Sequence, residues 1–472
     1  MEVMSPLDTA FLRLESRSTS LHIGSVGIFD GPPPTAEQVH AAFTAKLHLV
    51  PRYHQRVREV PLRLGRPVWV EDPTFDLGYH LRHTALPRPG SDAQLRELVG
   101  RLMSQQLDRG KPLWETWVVH GLERDRWAVV SKIHHCMIDG VAGTDLMSLV
   151  LDVTPDAVAA ATVLQEAAAE PGNTRLLLTA VTSIPHQPAT VVRGSWQAVR
   201  HPRRTAEQVV VLSRGAGSFA RLAKPATASS LSGLLGPHRK WSWTRATLDD
   251  VKTIRRLHGG TVNDVVLAAI TRGFRDLLLS RGESPDPQAV RTLIPVSVRH
   301  EDQHGDFDNR VSAMIAHLPV SALDPLARLA AVRMELGRLK RSGESQVGEL
   351  VTSAAMLAWP PLLSFGLTGM FRLPHRHLVT VATNVPGPPV PLWMCGRRLR
   401  EYYPYVPLAD RVRIGVAITS YDGVLGFGVT ADSDSFPDLT VLVDGIGSEL
   451  QDLLALGGTE GVSDLTGQRV PH

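Results

Sequence analysis

Apolar positions along this chain follow two rhythms, and the changes between them mark out its elements. Residues Val26–Gly31, VGIFDG, are a short apolar run closed by a turn and predict a strand. Thr35 and Gln38 then make a capping-box pair, and Val39, Phe43, Leu47 and Val50 share one helical face. Ser91 opens a second helix with Leu95, Leu98, Leu102 and Met103 turned inward. WAVVSKI, Trp127–Ile133, is a β-rich apolar run that fits a buried strand, and it carries His134 and His135 to its end. The following GVAGTDLMSLVLDV returns to helical spacing, with Leu146, Leu149 and Val150 apolar. The histidine pair therefore lies on a strand-to-helix corner, where rigid elements hold a side chain in place.

From about Pro155 to Thr247 the rhythm is lost among alanines, glycines, prolines and arginines. Order returns with TVNDVVLAAITRGFRDLLL, a strong helix whose first turn holds Asn263 and Asp264. VRTLIPVSVR (Val290–Arg299) and RVSAMIAHLPV predict strands, and HLVTVATNVPGPP predicts a strand running into a Pro/Gly corner. RVRIGVAITSYDGVLGFGVTADSD predicts a hairpin turning at Asp422-Gly423. The two halves share a mixture of strands and helices, without a repeat of fixed period.

With 472 residues the chain exceeds one compact core, which points to two large halves. The expected division is residues 1–155, a basic connection at 156–246, and a second half at 247–472. Hydrophobic content of 43% and charged content of 21% are those of a soluble globular protein. A net charge of +3 is too small to imply nucleic-acid binding. Cys136 and Cys395 are the two cysteines, too few for a disulfide framework, and a reducing cytoplasm is expected. The N-terminal MEVMSPLDTAFLRLE is acidic and mixed, so no secretory signal is expected there.

Two segments bear on membranes. Between Gly172 and Ala246 there are 11 Lys or Arg against one acid, Glu207. That stretch is either a solvated linker or a basic face for anionic headgroups or a polyphosphate ligand. Leu350–Phe371 is uncharged and long enough to cross a bilayer, but Pro360 and Pro361 break it at its centre. A broken amphipathic helix pair, in the core or on a membrane, is the better expectation.

The chemistry concentrates in HHCMIDG, His134–Gly140. An imidazole near its free pKa is a good general base at neutral pH. Gly140 permits a tight corner and Asp139 can pin the loop. Adjacent histidines diverge, and no HExxH spacing exists, so a metal site is not expected. No GxSxG elbow marks a serine hydrolase.

HHxxxDG is the signature of the CoA-dependent acyltransferase superfamily. Further segments resemble one branch, the bacterial wax ester synthase/acyl-CoA:diacylglycerol acyltransferases. MSPLDTAFL and LHIGSVGIFDG resemble its N-terminus, and KPLWE (Lys111–Glu115) its PLW motif. TVNDVVLA resembles its ND motif and TNVPGPP its NVPGP motif, while PVSVR and SYDGVLGFGVTADSD also fit. FDNRVS departs from the pattern, since a glycine is expected before Asn309. The resemblance spans nearly the whole chain.

It implies an α/β fold of two chloramphenicol-acetyltransferase-like sandwich halves, with the reaction centre in a tunnel between them. It also implies O-acyl transfer from acyl-CoA to diacylglycerol or a long-chain alcohol, with acyl-CoA as co-substrate and no separate cofactor. His135 would be the general base, with no covalent intermediate, and His134 would support the strand end. Asp139 would hold the loop, with Arg299 the candidate partner, and Gly140 would leave room for substrate. Pro112, Leu113 and Trp114 are either core packing or acyl-chain contacts. Asn263 and Asp264 are a helix cap or line the pocket. Asn384, Pro386 and Gly387 form a turn or shape the tunnel. Cytoplasmic protein bound peripherally to the inner membrane face or lipid droplets is the expected setting.

Two alternatives remain beside this reading. One is a non-catalytic lipid-surface protein of the same fold, which the intact His135/Asp139 pair disfavours. The other is a condensation-type acyltransferase using a carrier-protein thioester, which the PLW and NVPGP motifs disfavour. No DFGWG segment supports a plant-type alcohol acyltransferase.

Overall fold

A computed structural model describes residues 2–137, 150–156, 172–183, 229–297, 311–342, 378–409 and 411–463. Its frame is two six-stranded sheets and one small sheet. The first sheet contains β2 (His22–Asp30), β5 (Leu81–Ala85), β6 (Trp114–Leu122) and β7 (Arg126–His134). It is completed by β12 (Trp393–Met394) and β13 (Arg397–Tyr405), in the order β12-β13-β2-β7-β6-β5. Two strands from late in the chain thus extend the sheet of the N-terminal half, and β13 pairs antiparallel with β2.

The second sheet has the order β10-β9-β11-β14-β15-β8. Its strands are β8 (Arg239–Thr247), β9 (Arg291–Ser297), β10 (Val311–His317), β11 (Thr380–Val385), β14 (Ile414–Tyr421) and β15 (Val424–Asp432). The β14–β15 hairpin turns at Asp422 and Gly423, both in the left-handed region at φ 45° and 79°. That is the conformation a two-residue Asp-Gly turn requires. β8 starts before the boundary at 246 suggested by the sequence, so the basic connection ends near residue 238. Trp241 and Trp243 face inward on β8, and the neighbouring Arg239, Lys240 and Arg245 disguised the strand as part of the basic stretch. The small sheet, β1-β4-β3, joins β1 (Glu2–Val3), β3 (Gln55–Arg58) and β4 (Val68–Glu71).

Nine helices among the described residues cover these sheets. They are α1 (Pro6–Leu14), α2 (Ala36–Leu47), α3 (Leu77–His80), α4 (Asp92–Ser104) and α5 (Asn173–Ser183), then α6 (Leu248–His258), α7 (Val262–Ser280), α8 (Pro325–Ser342) and α9 (Leu439–Ser463). Thr35 and Ser91 close capping boxes with Gln38 and Gln94, as their spacing suggests. α4 packs on both β8 and the first sheet. Its Leu95, Leu98, Val99, Leu102 and Met103 share one apolar cluster with Trp241, Trp243 and Tyr403. In the C-terminal half α7 and α9 pack on each other and share one apolar core with the strands of the second sheet.

Leu350–Phe371, Arg299 and most of the helix expected after Gly140 lie outside the described residues. So do the arginines between residues 184 and 228. Among the described residues no helix is long and apolar enough to cross a membrane.

Candidate active site

The histidine pair closes β7, which runs between β2 and β6. Both peptide groups are clamped. His134 N donates to Leu113 O at 2.9 Å, and His135 N donates to Leu21 O at 2.9 Å. Neighbouring strands therefore fix the backbone from which both imidazoles project.

His134 is fully buried. Its Nδ1 accepts from Cys136 N at 3.1 Å, so the bond assigns the proton to Nε2. That nitrogen faces the carboxylate of Glu15, with Oε1 3.7 Å away. His22 is paired opposite His134 in the sheet, and its Nε2 stands 3.1 Å from the same oxygen. Arg109 closes the other side of Glu15, with Nη2 2.8 Å from Oε2, and donates to Leu12 O at 2.7 Å. Arg239 of β8 donates to Ser18 O, fastening the C-terminal half to the segment between Glu15 and His22.

The charges in this cluster follow from burial. Burial pushes the imidazole of His134 down to about 3 and that of His22 down to about 4, so both are neutral at pH 7. Burial alone would raise Glu15, but its contact with His22, then His134 and Arg109, outweighs it and holds the carboxyl at about 2. Glu15 is an anion whose side chain is 3% exposed. It serves as the anchor of the His22–His134 pair.

His135 differs from its neighbour. It is half-buried, and the ring of Phe11 from α1 lies against it, with centroids 4.2 Å apart at 39°. Burial lowers its pKa, so this imidazole too is neutral at pH 7. Nδ1 is enclosed and meets no hydrogen-bond partner among the described residues. Cys136 is 2% exposed, and burial pushes its thiol well above the ordinary range, so it offers no thiolate nucleophile.

The remaining sequence candidates fall into place unevenly. Pro112, Leu113 and Trp114 are buried. Trp114 stacks on His80 at 4.5 Å and donates from Nε1 to Tyr53 O at 2.7 Å. Leu113 and Trp114 belong to the apolar cluster of the N-terminal half, and Leu113 O also seats His134. Asp264 closes a capping box, its Oδ2 accepting from Thr261 N at 2.7 Å and Oγ1 at 2.9 Å. The Asn263–Asp264 turn begins α7, which packs on α6, α8 and α9.

Asn384 and Pro386 are exposed at the end of β11. Gly387 donates from N to Ser420 Oγ at 3.1 Å, and a Cβ there would lie 2.2 Å from Ser420 O. Only glycine lets this turn approach β14 so closely. The next residue, Tyr421, belongs to the same apolar cluster as Cys136 and Met137. Asp139, Gly140 and Arg299 lie outside the described residues. Among the described residues no group of three or more His, Cys, Asp or Glu could hold a metal ion.

Sequence reasoning missed Glu15, His22, Arg109 and Phe11. The available signal was ESRSTSLH, where an acid and a histidine bracket a short polar turn just before a strand.

Two family models match the chain. The wax ester synthase/diacylglycerol acyltransferase catalytic domain matches residues 4–266, and the C-terminal domain of the same family matches residues 307–454. A probable diacylglycerol O-acyltransferase, tgs1, of Mycobacterium tuberculosis is 38% identical over 463 residues, covering 97% of this chain and 96% of that one. The solved wax ester synthase/diacylglycerol acyltransferase of Marinobacter aquaeolei VT8 superposes with a TM-score of 0.66 at 24% identity, over 97% of this chain and 100% of that one. The first condensation domain of the calcium-dependent antibiotic synthetase superposes with a TM-score of 0.57 at 15% identity, over 97% and 96%. Both superpositions show the α/β sandwich fold expected from the motifs.

Proposed function

This chain belongs to the wax ester synthase/diacylglycerol acyltransferase family, and we propose that it transfers a long-chain acyl group from acyl-CoA to the hydroxyl of diacylglycerol, and to long-chain alcohols. The observation that carries the mechanism is the contrast within the histidine pair. His134 is sealed in the Glu15 cluster, while the neutral imidazole of His135 is less buried and has no part in that cluster.

His135 Nε2 takes the proton of the acceptor hydroxyl as that oxygen attacks the thioester carbonyl carbon. The C–O bond forms, the tetrahedral adduct collapses, and the C–S bond breaks. The CoA sulfur leaves with the pair of electrons and receives the proton held by His135. The products are one ester and one free CoA, and the imidazole is neutral again. General-base assistance of this kind supplies a factor of about 10²–10⁴. No acyl-enzyme is required, which agrees with the inert thiol of Cys136.

By the family resemblance Asp139 would hold the corner after the pair, with Arg299 the candidate partner, and Gly140 would give the substrate room. Asn384, Pro386 and Gly387 border the tunnel. Because diacylglycerol resides in lipid, the enzyme works peripherally at a membrane or droplet surface, aided by the basic stretch from Gly172 and the uncharged Leu350–Phe371.

The test is purified protein with palmitoyl-CoA and, in turn, dioleoylglycerol and hexadecanol, with products separated by chromatography. Triacylglycerol or wax ester should form in step with free CoA. CoA release without ester, or no turnover with either acceptor, would overturn the assignment.

A further inference from the structure

The β3–β4 hairpin ends in VPLRLGRP, Val60–Pro67, and its tip breaks two habits of folded chains. Leu62 is 87% exposed and Leu64 50%. Leu62 and Arg63 also hold successive left-handed backbone angles, φ 56° and 55°, a conformation unfavourable for residues with these side chains. A soluble tip would gain by carrying polar residues or glycine there. This one instead spends strain to point leucines outward.

Three further observations say what the tip meets. Arg63 is exposed beside the two leucines, whereas Arg52 pairs with Glu2, Arg58 donates to Asn173 and Arg66 donates to Met4 O. α5 packs beside the tip and adds Leu178, 65% exposed. The tip is also tied to the catalytic corner through α1. Arg13 donates to Gly65 O at 3.2 Å, while Phe11, two residues earlier, lies on His135.

We propose that this hairpin tip is a docking surface for an anionic lipid surface, with Leu62 and Leu64 entering the apolar layer and Arg63 meeting the headgroups. A protein partner is the poorer fit, because a three-residue protrusion is far smaller than the roughly 800 Å² each partner gives to a stable interface. A lipid surface asks only for apolar insertion and positive charge. The proposal deepens the function above by naming the surface that brings His135 to a lipid-borne alcohol, and it rests on that reading for its purpose alone.

Flotation of the full chain with phosphatidylglycerol-containing vesicles tests it, with phosphatidylcholine vesicles as the control. The wild type should float with the anionic vesicles and much less with the neutral ones. Leu62→Ser combined with Leu64→Ser should weaken flotation about tenfold at low and high salt alike. Arg63→Glu should weaken it at least about fivefold at low salt and far less at high salt. Equal flotation of the leucine variant and the wild type overturns the proposal, as does equal binding of the wild type to both kinds of vesicle.

Transfer from palmitoyl-CoA to a water-soluble short-chain alcohol should be unchanged in the leucine variant, which shows it folded. If the wild type fails that assay and yet floats as stated, the enzymatic reading fails and the docking surface stands.

Discussion

Replacing His135 by alanine is expected to lower ester formation by a factor of about 10²–10⁴ while leaving the protein folded. The side chain is half-buried and its ring contact is with Phe11, so its removal opens little of the core. His134→Ala should behave the other way round. It deletes a fully buried imidazole and leaves Cys136 N and the Glu15 carboxylate short of a partner. It should therefore cost more stability than His135→Ala, with activity lost through displacement of its neighbour. CoA release measured with a thiol reagent, beside a thermal melt of each variant, separates the two. Near-normal turnover in His135→Ala would contradict the general-base role.

Glu15→Ala should have the second large effect. The carboxylate is nearly inaccessible and stands between His22, His134 and Arg109. Its removal leaves two buried neutral imidazoles without the carboxylate they face and should cost about 1–3 kcal/mol of stability. Arg109, half-exposed, recovers part of its solvation from water. In the protein that remains folded, kcat should fall while KM for acyl-CoA is retained, because Glu15 acts through the position of the histidine corner and not on the thioester. Glu15→Gln, which keeps the shape and loses the charge, should recover much of the stability. Unchanged kcat in folded Glu15→Ala would make the cluster a packing device only.

The elements with local signals were legible in the sequence. The helices after Thr35 and Ser91, the strand ending at the histidines and the Asp422-Gly423 hairpin depend on near neighbours, and each forms where its pattern indicates. What could not be read was assembly. Nothing local marks β13 as a partner of β2, nearly the whole chain away, since edge pairing is decided by packing against α4 and β8. The site shows the same division. The histidine pair was plain, because adjacent histidines at a strand end are chemically unusual. Glu15, His22 and Arg109 escaped notice because each alone is an ordinary polar residue, and only the register of β2 against β7 brings them to His134. In the ND motif Asp264 closes the capping box with Thr261 that starts α7.

The pH dependence of kcat/KM for ester formation from palmitoyl-CoA and diacylglycerol bears most directly on the central claim. A general base works only when neutral, and burial favours the neutral form of His135. Activity should therefore be full at neutral pH and fall as the pH drops through a midpoint below the 6.5 of free histidine. The cluster behind it cannot produce that limb. Glu15, at about 2, stays ionised, and His134 and His22, at about 3 and 4, stay neutral through the range in which His135 titrates. The account predicts one acid limb below pH 6.5 in the wild type and its disappearance from the residual activity of His135→Ala. A midpoint at or above 6.5, or the same limb surviving in that variant, would contradict it.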